Sequence, residues 1–530
     1  MQVESIPLDQ IRQFSTRDSL YYQSPEKFSN FVSHIPTLDN FPAVIEAKAK
    51  SPTDRQLLSD VVTIQYAKHP SSSKTQSLIS NLSKDNTYAV TTAHQPSLLT
   101  GPLYYIYKIL STINLAETLQ KKYPDNNYVP VFVIGSEDHD FEEVNHLHLF
   151  GKTVTWNRDG QGSVGHYSIE GLDEILTEVN ELLGSYALTG ELITQLRADL
   201  TSIDSYQEFA FKLTHLLFDS LGLVILSMDD PKLKQAFIPI IKKEILERPS
   251  QKLVQETQEK IKAELDLNSQ AHAREINFFF TGYGGRSRII FSDGIYQIDG
   301  TEKTFTEAEL VTTIDEHPEW FSPNVIMRPL YQELILPNLA YIGGGGEIAY
   351  WTERLSQFDH FGVPMPMLIR RRSAMIVTPE ENKLMQKLDF SWGDIFHDKQ
   401  SLISRFLDNS DHPDYKLDKE REQLNKVFEM IAEKAKSVDV TLAKTAGAEN
   451  AKLSKSLDYL QNKMKKALKQ KESVSLNRMD KLHGKLFPGG LQERHNNILQ
   501  YISAYGLGLI EDMLEHCDPL ERTFKVFRMS

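Results

Sequence analysis

The run Val129-Pro130-Val131-Phe132-Val133-Ile134-Gly135 constrains this chain more than any other segment, because an almost wholly apolar stretch ending in glycine suits a strand buried on both faces. Strands of that kind belong to parallel sheets covered by helices. Tyr88 to Thr92 reads as another strand, and Gly101-Pro102 then opens an amphipathic helix running to about Gln120, with Pro124 ending the helical region. The stretches from Leu223 to Asp230 and from Pro364 to Arg370 repeat the strand pattern, the latter after a helix expected over Glu347–Phe358. This alternation makes the fold class α/β with a parallel sheet. In open sheets of this kind ligands bind beyond the carboxyl ends of strands, near the point where strand order reverses.

Two polar clusters fall at such ends. In the first, from Thr91 to Lys108, His94 and Gln95 occupy the turn between strand and helix, where the partial positive charge of the helix start suits a phosphate or carboxylate. His94 and Thr100 can donate to a phosphoryl oxygen and Gly101 allows close backbone approach, whereas Lys108 is expected too far down the helix to help. The plainer alternative is that Gln95-Pro96 shapes a loop and His94 is structural. The second cluster places Glu137, Asp138, His139 and Asp140 in a row, acids that repel one another unless an amine, hydroxyl or metal is bound. A carboxylate to bind an amine and a base to deprotonate it would serve amide formation. The rival is a metal site, with His139, Glu142 or Glu143, and His146 on one helical face, although neither established His-Glu zinc motif is present and no metal is assigned. A third constellation joins Arg328 in Met327-Arg328-Pro329 to the glycines Gly343–Gly346, followed by Glu347, Tyr350 and Trp351. Backbone at Gly344 and Gly345 can approach a nucleotide or sugar, or the glycines can serve as a hinge. The spacing is not that of a nicotinamide fingerprint.

A length of 530 residues exceeds what one core usually serves. A net charge of −14 argues against a general nucleic-acid binder, leaving room only for a local basic groove, and no signal pattern or membrane-length apolar run is found, so a cytoplasmic location is expected. Cys517, the single cysteine, excludes intramolecular disulfides and multi-cysteine zinc sites. The expected organisation is a core in three parts, residues 1–150, 206–263 and 325–385, with insertions at 151–205 and 264–324, a helical coiled-coil domain at 386–486, and a segment at 487–530 returning to the core. The second insertion should hold a hairpin over Arg288–Ile298, turning at Asp293-Gly294. Leu417, Leu424, Phe428, Ile431, Ala435, Val438 and Leu442 keep largely four-three spacing, interrupted by Arg421, and Leu453, Leu457, Leu460, Met464 and Ala467 form a second leg. A helical hairpin turning at Ser437–Val440 or at Ala446–Glu449, and one long helix packing on a partner chain, both fit.

The Gln-Pro/Thr-Gly-Pro-Leu-Tyr segment at 95–104, Glu-Asp-His-Asp-Phe-Glu-Glu-Val-Asn-His at 137–146, Arg-Pro-Leu-Tyr-Gln-Glu at 328–333, Gly-Gly-Glu-Ile-Ala-Tyr-Trp at 345–351 and Leu-Phe-Pro-Gly-Gly-Leu-Gln-Glu-Arg at 486–494 together resemble the bacillithiol-biosynthesis cysteine-adding enzymes, the BshC cysteine ligase family. The resemblance spans nearly the whole chain. It implies a Rossmann-like core related to class I aminoacyl-tRNA synthetases, two connecting insertions and a coiled coil used for homodimerisation. The implied reaction joins cysteine to the amine of glucosaminyl malate, with ATP activating the carboxylate as an adenylate. On that reading His94 and Gln95 stand for the synthetases' His-x-Gly-His turn, with Thr100 and Gly101 beside the phosphates. Glu137, Asp138 and His139 would hold the amine, Asn145 and Arg328 a carboxylate, and Gly344 to Glu347 the sugar or nucleotide. Asp140 and Tyr350 complete the substrate-binding set, and Arg494 is a candidate nucleotide contact. Lys452-Leu453-Ser454-Lys455-Ser456 imitates the synthetases' Lys-Met-Ser-Lys-Ser loop, but Leu453 continues into the heptads, so it reads as coiled-coil helix. Readings from other classes are a metal-dependent hydrolase built on His139 and His146, and a non-catalytic coiled-coil partner of another ligase.

Overall fold

Five parallel strands position everything that follows: β1 (Thr87–His94), β2 (Asn127–Ile134), β3 (Val224–Ser227), β4 (Asn338–Gly343) and β5 (Met367–Arg370). The computed structural model describes residues 1–51, 53–158, 160, 162–184, 187–409 and 414–530. Across the sheet the order is β5-β4-β1-β2-β3. The chain therefore steps outward from β1 to β3 and then returns to the other side of β1, which puts the reversal between β1 and β4. The register aligns the carboxyl ends: His94 lies opposite Ile134, Ile134 opposite Ser227, and Gly343 opposite Arg370. Strand β2 is buried from Tyr128 to Ile134, as its apolar run requires. Each fully buried Val or Ile there contributes about 1.5–3 kcal/mol.

Helix α1 (Tyr104–Lys122) crosses from β1 to β2 and is buried over most of its surface. The edge strand β3 is covered by side chains of the helix Arg55–Tyr66: the Ile225 N–H donates to the Tyr66 hydroxyl at 2.8 Å, and Gln65 bonds both the N–H and the C=O of Ser227 at 3.0 and 2.9 Å. An edge closed in this way cannot pair with another chain.

The expected Asp-Gly hairpin forms between Ser287–Ser292 and Ile295–Ile298, with Ser292 opposite Ile295 and with φ of 52° at Asp293 and 80° at Gly294. It belongs to a five-stranded sheet whose remaining members are Phe278–Phe280, Thr304–Phe305 and Phe321–Pro323. A second hairpin joins His146–Leu149 to Lys152–Thr155. The helix expected over Glu347–Phe358 is two, α4 (Gly345–Trp351) and Leu355–Phe361. The break falls at Arg354, whose fully buried guanidinium donates to the Ile326 carbonyl at 2.9 Å and takes the backbone out of helical geometry. Two further core helices, α2 (Pro231–Glu247) and α3 (Arg328–Ile335), start just after β3 and just before β4.

The chain divides into two compact units, residues 1–376 with 487–530, and residues 377–486. In the second unit, α5 (Asp418–Lys436) and α6 (Val440–Lys471) pair antiparallel, so the turn is the earlier of the two alternatives, with the Asp439 carboxylate capping α6. Arg421, which interrupts the heptads, forms an ion pair with Asp458 at 2.6 Å. The seam differs from the expected one on α6: Ala446 is buried and Leu457 and Met464 half-buried, while Leu453 and Leu460 are 42% and 53% exposed. The Lys452–Ser456 segment lies within α6, as read from the heptads.

Candidate active site

The carboxyl ends of all five strands open into one cavity of about 680 Å³. His94, Gln95, Glu137, Asp138, Arg328, Gly344, Gly345, Glu347, Tyr350 and Arg494 all line it, so residues far apart in the chain are brought together.

His94 ends β1. Its Nδ1 lies 2.9 Å from the Gln95 carbonyl, which can only accept, so Nδ1 carries the proton and Nε2 accepts from the Tyr104 hydroxyl at 3.2 Å. Burial, reinforced by nearby Lys108, brings its pKa down to about 4. At neutral pH it is an uncharged imidazole with a lone pair on Nε2. Gln95 bridges the first two strand ends, donating to Asp138 Oδ2 at 2.7 Å. Burial would raise the Asp138 carboxyl, but Arg286 at 3.6 Å, the His139 N–H and Gln95 outweigh it and hold the group below its usual range. Glu137 meets Lys234 at 2.6 Å, yet burial, with Asp229 reinforcing it, still pushes its pKa up.

Lys108 corrects the sequence reading. A helical side chain leans toward its own amino terminus, so Nζ returns to the strand end, donating to Ala93 O at 2.8 Å and pairing with Glu347 at 2.5 Å. Glu347 also accepts from the Tyr341 hydroxyl at 2.6 Å and the Gly344 N–H at 2.9 Å; these partners outweigh burial and hold its pKa at about 2. Arg328, the first residue of α3, donates to Gln332 and to the Tyr350 hydroxyl at 3.1 and 3.2 Å, and has no carboxylate partner among the described residues.

Five expected site residues do not line the cavity. Thr100 and Gly101 are folded away in a turn with φ of 72° and 59°, where Asn497 donates to the carbonyls of Leu99 and Gly101 at 2.8 and 2.7 Å. That turn is an internal clamp and presents nothing to a phosphate. Past Asp138 the chain turns out of the cavity and touches it again only at Glu143, so Asp140 is exposed, and Asn145 stands just before the hairpin strand His146–Leu149, its carbonyl taken by the Trp156 N–H. His139 stands at the surface with Nδ1 accepting from Arg286 at 2.9 Å, which removes its lone pair from service as a base. Residues 139–145 form no helix, so the helical face needed by the metal reading on His139 and His146 does not exist. Gly345 has a tighter purpose than approach to a ligand: a Cβ there would lie 2.2 Å from the Asp18 carboxyl carbon, and Asp18 is pinned by Arg370 at 3.0 Å.

The cavity also gathers residues to which the motifs assign no place in it, among them Tyr104, Asp229, Arg286 and Arg371, and Glu143, which the motifs offer only as a metal ligand. Arg371 follows β5 directly and Asp229 lies two residues past β3, so the strand-end rule that found His94 and Glu137 would have found them. Arg371 is held by a two-pronged contact with Glu493 at 2.8 and 3.0 Å.

A doubly wound parallel sheet with one polar cavity at its switch point is a Rossmann-like, ligand-binding core. The comparisons carry this further. Residues 1–372 match the family model described as "Bacillithiol biosynthesis BshC, N-terminal Rossmann-like domain", and residues 374–529 match "Bacillithiol biosynthesis BshC, C-terminal coiled-coil domain". The chain belongs to the BshC family. Relatives named "Putative cysteine ligase BshC" include proteins of Christiangramia forsetii, 39% identical over 96% of this chain and 95% of the relative, and Flavobacterium johnsoniae, 38% identical over 96% of each. That of Cytophaga hutchinsonii is 32% identical over 98% of this chain and 97% of its own length. No helix among the described residues is long and apolar enough to cross a membrane.

Proposed function

We propose that this cavity forms the amide bond between the carboxyl group of cysteine and the amine of glucosaminyl malate, with ATP as the activating substrate. The observation that carries the reading is the polarity of the cavity: ionised acids line one wall, an unpaired guanidinium another, and a neutral imidazole stands between strand ends. The acids suit an ammonium group. Arg328 suits a carboxylate or phosphate, and Arg494, with no ion pair among the described residues, extends that capacity.

Bond formation from an activated acyl group requires the ammonium to lose two protons, one before attack and one after the C–N bond forms. On this reading Nε2 of His94 is the base once the rotatable Tyr104 hydroxyl, which donates to it in the free protein, turns aside, and the ionised carboxylates of the cavity wall hold the ammonium without competing for its proton. ATP would supply a good leaving group on the cysteine carboxyl. Lys108 and Arg371 are already paired with Glu347 and Glu493, which leaves Arg328 and Arg494 to meet its phosphates.

Mass spectrometry of the purified protein with cysteine, glucosaminyl malate and ATP tests the whole. Bacillithiol and AMP should rise in equal amounts, and His94→Ala should lower the rate about 10²–10⁴-fold, the usual range for a general base. Bacillithiol without AMP would sink the adenylate step; no product from folded protein would sink the ligase reading.

The helical hairpin supports a homodimer in the same proposal. Val427, Met430, Ile431, Leu453, Tyr459 and Leu460 are between 42% and 63% exposed, an apolar surface that an isolated solvated hairpin has no reason to carry. Light scattering should find a dimer, and the double variant Leu453→Glu/Leu460→Glu should leave a folded monomer. A dimer that survives both charges would place its interface elsewhere.

A further inference from the structure

We propose that Asp229 seats the ammonium group of the amine substrate and that His166, facing solvent behind it, is the counter-cation which that ammonium displaces, so that substrate binding expels a proton. The inference rests on the amide-forming reading above.

The carboxylates of the cavity wall are not equally available. Asp138 spends Oδ2 on Gln95 and Oδ1 on the His139 N–H; Glu137 keeps Oε2 open but already faces a permanent cation, Lys234, on Oε1, whereas the partner of Asp229 is an imidazole that can give up its charge. Asp229 lines the cavity directly after Met228, with its side chain 13% exposed. Its Oδ2 meets His166 Nε2 at 2.5 Å, and no hydrogen bond among the described residues reaches Oδ1. One oxygen is therefore committed outward and the other is free.

His166 comes from the first insertion, on the short turn Val164–His166, and its side chain is 64% exposed. That turn is clamped to the end of β2: the Val164 N–H donates to Asp138 O at 2.6 Å and the Gly165 N–H to Ser136 O at 2.9 Å. The approach is close enough that a Cβ on Gly165 would lie 2.2 Å from that of Ser136. The imidazole is thus held at Asp229 by a backbone clamp, unlike an adventitious surface pair.

The charge arrangement gives the contact its consequence. Lys234 sits against Glu137 at 2.6 Å and is shared electrostatically with Asp229, so one lysine faces two carboxylates. His166 supplies the second positive charge, its pKa raised chiefly by the hydrogen bond to Asp229, with Glu137 adding to it. Of the other charges nearby, Arg286 pairs with Asp138 and also reaches Glu137 electrostatically, while Glu208 is engaged with Lys68 and Lys212 with Asp199. An ammonium arriving at Oδ1 does the work of the imidazolium, and linkage then requires that it lower the proton affinity of His166. The exposed ring releases that proton to solvent.

Calorimetric titration of the full-length protein with glucosaminyl malate, in buffers of equal pH and different ionisation enthalpy, counts protons released on binding. Near the midpoint of His166, the wild type should release about half a proton more than His166→Gln. Asp229→Asn, with an unchanged circular dichroism spectrum, should weaken binding about tenfold or more. Equal proton counts in wild type and His166→Gln, or undiminished affinity in Asp229→Asn, would overturn the proposal while leaving the ligase reading intact. No binding to the wild type would instead overturn the amine substrate itself, and this inference with it.

Discussion

Arg328→Ala is expected to lower kcat/KM for amide formation about 10²–10³-fold, the usual cost of losing one positioned charge donor, while thermal stability stays nearly unchanged. The combination is what makes the prediction sharp. Arg328 is fixed at the start of α3 and reaches only neutral partners, Gln332 and Tyr350. The nearby carboxylate of Glu347 is committed to Lys108 at 2.5 Å. A guanidinium with no direct ion pair, its burial offset by the field of groups around it that include Glu347, adds little to the free protein, so removing it leaves stability nearly unchanged and harms chiefly the complex. Arg328→Lys should fall between, because it keeps the charge and loses the fork that matches a carboxylate or phosphate. Steady-state kinetics with melting curves on the same preparations decide the matter. Activity within threefold of wild type, or a loss explained by unfolding, would remove Arg328 from the site.

The parts of the site legible in the sequence were those where chemistry sits next to a strand. His94 ends β1 and Gln95 follows it, Glu137 and Asp138 lie just past β2, and the burial of β2 was written in its apolar run. Contiguity also misled. His139 and Asp140 follow Asp138 directly, but a chain leaving a strand end can turn only a few side chains into one cavity before it departs. Lys108 was dismissed on distance along the helix, although the lean of helical side chains carries its ammonium back to Ala93. Arg286 could not be placed at all, because it is delivered by the antiparallel sheet, and no periodicity states where one sheet docks against another. The helical hairpin shows a different limit. Heptad spacing gave its apolar positions but not which of two neighbouring faces pairs internally, and Leu453 and Leu460 were assigned to the inner seam that Ala446 and Leu457 occupy.

Lys108→Met carries the largest expected cost in stability, about 3 kcal/mol at neutral pH, the low end for a broken buried pair, because it strips its cation from a carboxylate that is only 23% exposed. Glu347 is fully engaged: Lys108 at 2.5 Å, the Tyr341 hydroxyl at 2.6 Å and the Gly344 N–H at 2.9 Å together hold its pKa at about 2. Methionine fills similar volume, so the loss reports charge and not packing. The pH dependence then reverses. In the wild type, Glu347 contributes stability that is present above its unfolded pKa of about 4.3 and is lost as pH falls toward 2. In Lys108→Met the folded carboxyl is pushed up by burial, so it is protonated more readily than in the unfolded chain, and acidification relieves the strain. Urea unfolding should therefore show a gap between variant and wild type that narrows from pH 7 to pH 5. The double variant Lys108→Met/Glu347→Gln should recover most of the loss, since no charge is left stranded. A single variant costing under about 1 kcal/mol, well below the range for a broken buried pair, would mean that the two groups are not paired in solution.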